Sequence, residues 1–201
     1  ILYECLTGIN PFLGGSTVDT MVNQITLTPR VPSKANASAG IPLYMDALVM
    51  RALSKDPNHR FSSAREFREV LEGLLARRAA ERAGDGERAE LSQIVADMRA
   101  AVSGNRQADY SELNRVLHRR IREISGHSTA SELVANLRNR GAHHQFRLAT
   151  MPGRSSDSLV QHAAIVEAIV AGDGEGAAEA MRMHLRSVRD VLVSWVEQPR
   201  S

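Results

Sequence analysis

The chain has 201 residues, 43% hydrophobic and 24% charged, enough for one domain with a sizeable core or two small ones, and this balance argues against disorder. Its 25 Lys and Arg against 23 Asp and Glu leave a net charge of +2, a small basic excess and not a patch made for nucleic acid. The one cysteine, Cys5, rules out a disulfide framework, and no apolar run reaches the roughly 18 to 20 residues of a membrane span. With no leader-like opening either, the expectation is a soluble, cytoplasmic protein in which Cys5 is buried as a small apolar residue of the run ILYECL.

Ile1 opens inside an amphipathic pattern with no capping residue ahead of it, which would leave up to four backbone donors unpaired, so a fragment of a longer chain is expected. Residues 1–7 read as the end of a helix stopped by Gly8. Turns at Asn10-Pro11 and Gly14-Gly15 then precede a short helix over about 17–25. Pro29, Pro32 and Pro42, set among Ser, Asn and Gly with no period of 2 or 3.6, make 26–42 a loop. A helix over about 43–54 should turn Leu43, Ala47, Leu48, Met50 and Leu53 inward and end at Asp56-Pro57.

Beyond Phe61 proline nearly vanishes and long helical periods take over, which predicts a helix bundle and an all-α fold class. Ser62 or Ser63 caps a helix that carries Phe67, Val70, Leu71, Leu74 and Leu75 and runs to about Ala83, where Gly84-Asp85-Gly86 breaks it. Helices follow over about 87–103, 108–125, 128–140, 155–171 and 174–196.

Three histidines fall inside apolar stripes. His162 lies three residues from Leu159 and Ile165, and His184 lies three from Met181 and four from Val188, in a stripe that runs from Ala177 through Val191 to Trp195. Leu113, Leu117, Ile121 and Ile124 are the inward residues of the 108–125 helix, and Asn114 and His118 share one face beside them. A lone histidine on an apolar face is usually a core residue bonded to a carbonyl. Three on three helices of one bundle admit a second reading, a shared metal ion. Three imidazoles and an amide oxygen suit zinc or nickel, with manganese or iron as alternatives, and leave a position open for a ligand. A hydrolase using that position to activate water needs an inward carboxylate as base, and none stands out. His59, His127 and the pair His143-His144, with Arg138, Arg140 and Arg147 nearby, read as solvated surface.

With these residues in place, the stretch from about Glu66 to Val196 resembles the FCD domain, the effector-binding domain of FadR-type GntR transcriptional regulators. EFREVLEGLLARRAAERA is similar to the family's ExRxxLE helix, here Glu66, Arg68, Leu71 and Glu72. ELNRVLHRRIREISGH resembles DxxxFHxxLxxxSGN, and PGRSSDSLVQHAAIVEAIVAGDGEGAAEAMRMHL resembles the closing R, S, EH, AI, GD, A, MRxHL series. The resemblance implies an antiparallel bundle, a divalent metal on Asn114, His118, His162 and His184, and a small organic acid bound with help from Arg68. It also implies a homodimer, with DNA contacted only through a domain absent from this chain. Asn114 stands where the family has Asp, Gln161 where it has Glu, and His127 where it has the Asn of SGN.

ILYECLTGINPF, and then IPLYMDALVMRALSKDPNHRFSSAREF, resemble the end of the C-lobe of bacterial Hanks-type serine/threonine kinases. Arg60 matches an arginine that pairs there with a glutamate near the activation loop, and is expected to be structural and without that partner. The glycine-rich loop, strand lysine, HRD and DFG motifs of a kinase all belong ahead of Ile1, so the segment itself implies no catalysis. The expected organisation is a non-catalytic kinase-like segment over 1–65, a ligand- and metal-binding domain over 66–196 and a tail over 197–201. Its function is expected to be metal-dependent sensing of a carboxylate in transcriptional control. The alternative is the C-terminal fragment of a kinase with an appended regulatory domain.

Overall fold

In the computed structural model, residues 1–140 and 153–197 are described. His143, His144 and Arg147, and the side chains of Arg140 and Trp195, lie outside the described residues. The chain divides into two compact units, Ile1–Phe67 and Arg68 onward.

In the first unit Gly8 closes α1 (Leu2–Thr7) in the left-handed region at φ 74°, its N–H returning to the Glu4 carbonyl. Helix α1 buries Tyr3, Leu6 and Thr7 on one face. Cys5 falls on the other and is exposed, against expectation, because the i, i+3, i+4 spacing that buries Tyr3 turns position 5 away. Ser16 caps α2 (Thr17–Thr26) by accepting from the Asp19 N–H.

The segment 26–42, expected as loop, contains α3 (Pro32–Ala35), with proline in its first turn, and a 3-10 turn at Ala37–Ala39. Four residues are too few to show a period, and tertiary bonds define the element. The buried Asp46 carboxylate accepts from the Ser33 N–H at 2.8 Å and the Ser33 hydroxyl at 2.5 Å, Tyr3 donates to the Arg30 carbonyl at 2.9 Å, and Asn36 donates to the Thr7 carbonyl at 3.1 Å. The same Asp46–Ser33 pair sets the face of α4 (Leu43–Ala52). Met45, Asp46, Leu48 and Val49 are buried, while Leu43 is 79% exposed and Ala47 is exposed too, so the predicted inward set is corrected by one or two positions. Beyond a 3-10 turn at Pro57–His59, Arg60 donates from Nε to the Ser54 carbonyl at 2.7 Å and from Nη2 to the Lys55 carbonyl at 3.4 Å. It is thus bonded to carbonyls of its own loop, and His59 is exposed beside it.

Helix α5 (Ala64–Arg82) begins where the Ser63 hydroxyl accepts from the Glu66 N–H, and its later turns belong to the second unit. There follow α6 (Asp85–Ser103), α7 (Gln107–Ile124), α8 (Ser128–Arg140), α9 (Arg154–Val170) and α10 (Gly174–Glu197), and no strand occurs among the described residues. The break before α6 is shorter than Gly84-Asp85-Gly86. Gly84 is the N-cap, its N–H meeting the Glu87 carboxylate at 2.9 Å, and Asp85 and Gly86 are already helical. Acidic Asp85 and Glu87 sit where the helix dipole favours negative charge.

Helix α9 packs on α10 and α6, and α6 on α7. Their shared core includes Leu91, Met98, Leu117, Ile121, Ile165, Ile169 and Met181. Gly73 permits a close approach of α5 to α10: a Cβ there would stand 3.1 Å from the Ala178 carbonyl. The fold class is the all-α bundle expected from the helical periods, with no helix among the described residues long and apolar enough to cross a membrane.

Candidate metal centre

The sequence places His118, His162 and His184 on apolar stripes of α7, α9 and α10, and packing those stripes together buries all three rings, at 3%, 0% and 4% exposure. Ring centroids lie 4.4 Å apart for His162 and His184, and 5.4 Å for His118 to each of the others. One nitrogen from each ring can be chosen so that all three lie within 4.8 Å of one another. Two metal–nitrogen bonds of about 2.1 Å at a tetrahedral angle hold their nitrogens roughly 3.4 Å apart, so small ring rotations would close the set.

Each Nδ1 already has a neighbour. His184 Nδ1 meets Gln161 Oε1 at 2.9 Å, His162 Nδ1 meets the Tyr110 hydroxyl at 3.2 Å, and His118 Nδ1 lies 3.5 Å from Glu72 Oε2. The partners of His184 and His162 fix those rings and leave their Nε2 as the donor, while His118 Nδ1 has Glu72 as an ion-pair neighbour without a hydrogen bond. His162 Nε2 and Asn114 Oδ1 are buried with no hydrogen-bond partner among the described residues. Buried polar atoms are normally satisfied, so unspent ones beside a histidine cluster fit an ion as the missing partner.

The rings are also in the protonation state that a metal needs. Burial first, then Arg138, pushes His118 down to about 4 against the pull of Glu72. Burial likewise holds His162 and His184 well below the usual imidazole range, with the neighbouring histidines and arginines adding to it. All three are neutral at pH 7.

A pocket opens beside the rings, lined by Asn114, His118 and His184 with Arg68, Arg138 and Arg154. The space open to the centres of water molecules is about 80 Å³, room for several waters or a small acid. Arg154, 9% exposed, donates from Nη1 to the Ser187 hydroxyl at 3.1 Å, and its Nη2 is buried without a partner among the described residues. Glu72 stands behind the pocket, 2% exposed, at 3.2 Å from Arg68 Nε and 3.4 Å from Arg138 Nη1. Burial opposes its charge, yet Arg138, His118 and Arg68 hold its carboxyl down at about 2.

Four predicted site residues, Asn114, His118, His184 and Arg68, therefore line one pocket, with His162 in contact with the other two rings. Arg60 belongs to the first unit and to no part of this pocket. Sequence reasoning missed three participants. Glu72 is an inward carboxylate where none was expected; Arg138, assigned to the surface, has a side chain only 13% exposed and lines the pocket; and Arg154 was passed over although it lies in the stretch PGRSSDS. His127, also assigned to the surface, is half-buried and accepts from the Ala130 N–H at 3.3 Å at the start of α8.

Fold and site define a helical bundle with a buried histidine cluster. The family model of the FCD domain matches residues 63–187, and the chain belongs to that family. A solved structure of Streptococcus agalactiae GntR shares the fold at 22% identity and a TM-score of 0.54, over 94% of this chain and 77% of that one. The second unit is accordingly an FCD domain, with the fold of that structure. The N-terminal part is similar to kinases. Serine/threonine-protein kinase PknB of Mycobacterium leprae is 40% identical over 71 residues, 35% of this chain and 11% of that kinase. Kinase pkn3 of Myxococcus xanthus is 30% identical over 109 residues, 54% of this chain and 20% of that kinase. The chain thus spans between a tenth and a fifth of the length of these relatives.

Proposed function

We propose that the second unit is a metal-dependent sensor of a small organic acid, acting in transcriptional control through a DNA-binding domain. His118, His162 and His184 would hold a divalent ion, with Asn114 Oδ1 as fourth ligand. The observation that carries the reading is the buried trio of neutral imidazoles, with Nδ1 of His162 and His184 engaged and Nε2 of His162 without a partner among the described residues, set against a pocket of arginines. Zinc or nickel suits nitrogen donors best, ahead of manganese or iron. When bound, the ion supplies positive charge and an open coordination position for an anionic oxygen.

The chain's own residues do the rest. Arg154 offers an unused Nη2, and Arg68 and Arg138, braced by Glu72, present guanidinium groups suited to forking onto a carboxylate. Glu72 is unsuited to general-base work, since a carboxyl held at about 2 and locked in ion pairs takes up protons poorly near pH 7. This favours a binding module over a metallohydrolase. A ligand that ties α9 and α10 to α7 would select one packing of the bundle, provided that it prefers that packing. A homodimer is part of the same proposal.

The test is metal content by mass spectrometry for purified wild type beside His162→Ala and His184→Ala, with folding checked by circular dichroism. Near-stoichiometric metal in wild type, lost in the folded variants, supports the reading. No metal after reconstitution overturns it.

The kinase similarity of the N-terminal part favours a second reading, the C-terminal piece of a kinase whose helical domain tunes activity. An upstream reading frame carrying kinase motifs would support it, and one carrying a winged helix would sink it.

A further inference from the structure

We propose that the metal ion and a dicarboxylate enter this site as a cooperative pair, each raising the affinity for the other. The inference rests on reading the histidine cluster as a metal site, and it follows from a charge count. The proposed inner ligands, three imidazoles and the Asn114 amide, are all neutral, so nothing in that set offsets the two positive charges of the ion. The groups holding the rings add little: His162 and His184 lean on a tyrosine hydroxyl and a Gln161 amide, and only His118 has a carboxylate, Glu72. That carboxylate is already shared between Arg68 and Arg138. The other buried acid of the second unit, Glu69, faces Arg186 at 3.9 Å and Arg189 at 3.5 Å, away from the pocket lining.

Three arginines line the pocket and no carboxylate does, among the described residues. Setting Glu72 against one of them leaves two cations in excess. Arg122, one helical turn beyond His118 and half-buried, adds another, its Nη1 without a partner among the described residues. An ion entering alone therefore meets repulsion. At separations of about 8 Å and an effective dielectric constant near 20, each pair of unit charges changes a binding constant by roughly thirtyfold, and a divalent ion facing one guanidinium by the square of that, roughly a thousandfold. A dianion entering alone meets arginines but lacks an inner partner. Together they cancel most of the charge, and linkage makes the benefit equal in both directions. An aspartate at position 114 would offset part of the ion's charge permanently. This chain has asparagine there, which leaves that task to the ligand.

The experiment is zinc affinity of the whole chain by chelator competition, in acetate, malonate or succinate at matched ionic strength, with each salt's own zinc binding subtracted. In wild type, malonate or succinate should tighten zinc at least about tenfold over acetate, which is about 1.4 kcal/mol. Asn114→Asp should tighten zinc in acetate by about tenfold and shrink the dicarboxylate effect to under about threefold. Arg154→Gln, which removes one repelling cation, should tighten zinc in acetate and lose most of the dicarboxylate effect. Zinc bound equally well in all three salts by wild type overturns the proposal while the metal site stands. No zinc on wild type or Asn114→Asp in any salt overturns the metal reading, and the proposal with it.

Discussion

The two units use their buried polar groups differently. In the first, Asp46 gives both carboxylate oxygens to Ser33, joining α4 to α3, and the Thr7 hydroxyl donates to the Tyr3 carbonyl within α1, so these groups are consumed within and between short helices. In the second, Asn114 Oδ1, His162 Nε2 and Arg154 Nη2 are buried and unspent among the described residues, and they converge on one region of the bundle. Both patterns cost desolvation, but only the first recovers it within the described chain. Buried polarity alone is therefore no sign of a site. Buried polarity with unused valences is.

The largest expected effect separates the units by the cost of removing their central acid. Glu72→Ala strips a buried anion from Arg68, Arg138 and His118 and should destabilise the second unit by about 3–5 kcal/mol. Asp46→Ala leaves only the Ser33 donors unmet and should cost about 1–3 kcal/mol. Urea unfolding of both variants checks the order, and equal losses would break the comparison.

A pH series on metal-free protein sharpens it. His118, His162 and His184 are depressed in the fold, so below about 6.5 the unfolded chain binds protons that the folded one refuses. Stability is then fully present above about 6.5 and lost as pH falls towards 4, the folded value for His118. Glu72 adds a further loss from about 4.5 down to about 2. Tm should drop by several degrees between pH 7 and 5 in wild type, and less in His162→Ala. A flat profile would mean that the rings stay solvated.

The smallest effect lies at Cys5. Being exposed, it should react with a thiol reagent in the native protein, and Cys5→Ser should change stability by less than about 0.5 kcal/mol. Protection from the reagent until unfolding would restore the buried reading.

Much of the site was legible because a helix writes its inward face into the sequence every three or four residues. The spacing of His162 from Leu159 and Ile165, and of His184 from Met181, needs no tertiary information to be read as inward. Short elements carry no such record. Helix α3 has four residues, and the face of α4 was set by the Asp46–Ser33 pair across thirteen positions, so both were misread. Glu72 and Arg138 were missed because each is charged, and charge on a helix ordinarily marks the solvent side.

By itself the sequence determined the all-α class, the six long helices and which histidines turn inward, because these depend on local periodicity and caps. Only the tertiary structure decided that Glu72 braces His118 from 46 residues away, that Gln161 and Tyr110 hold the other two rings, and that Arg138 and Arg154 face the same pocket. Those pairings join residues with no sequence relation to one another. Their energies depend on distance through a buried, weakly screened interior, and only the packed bundle sets that distance.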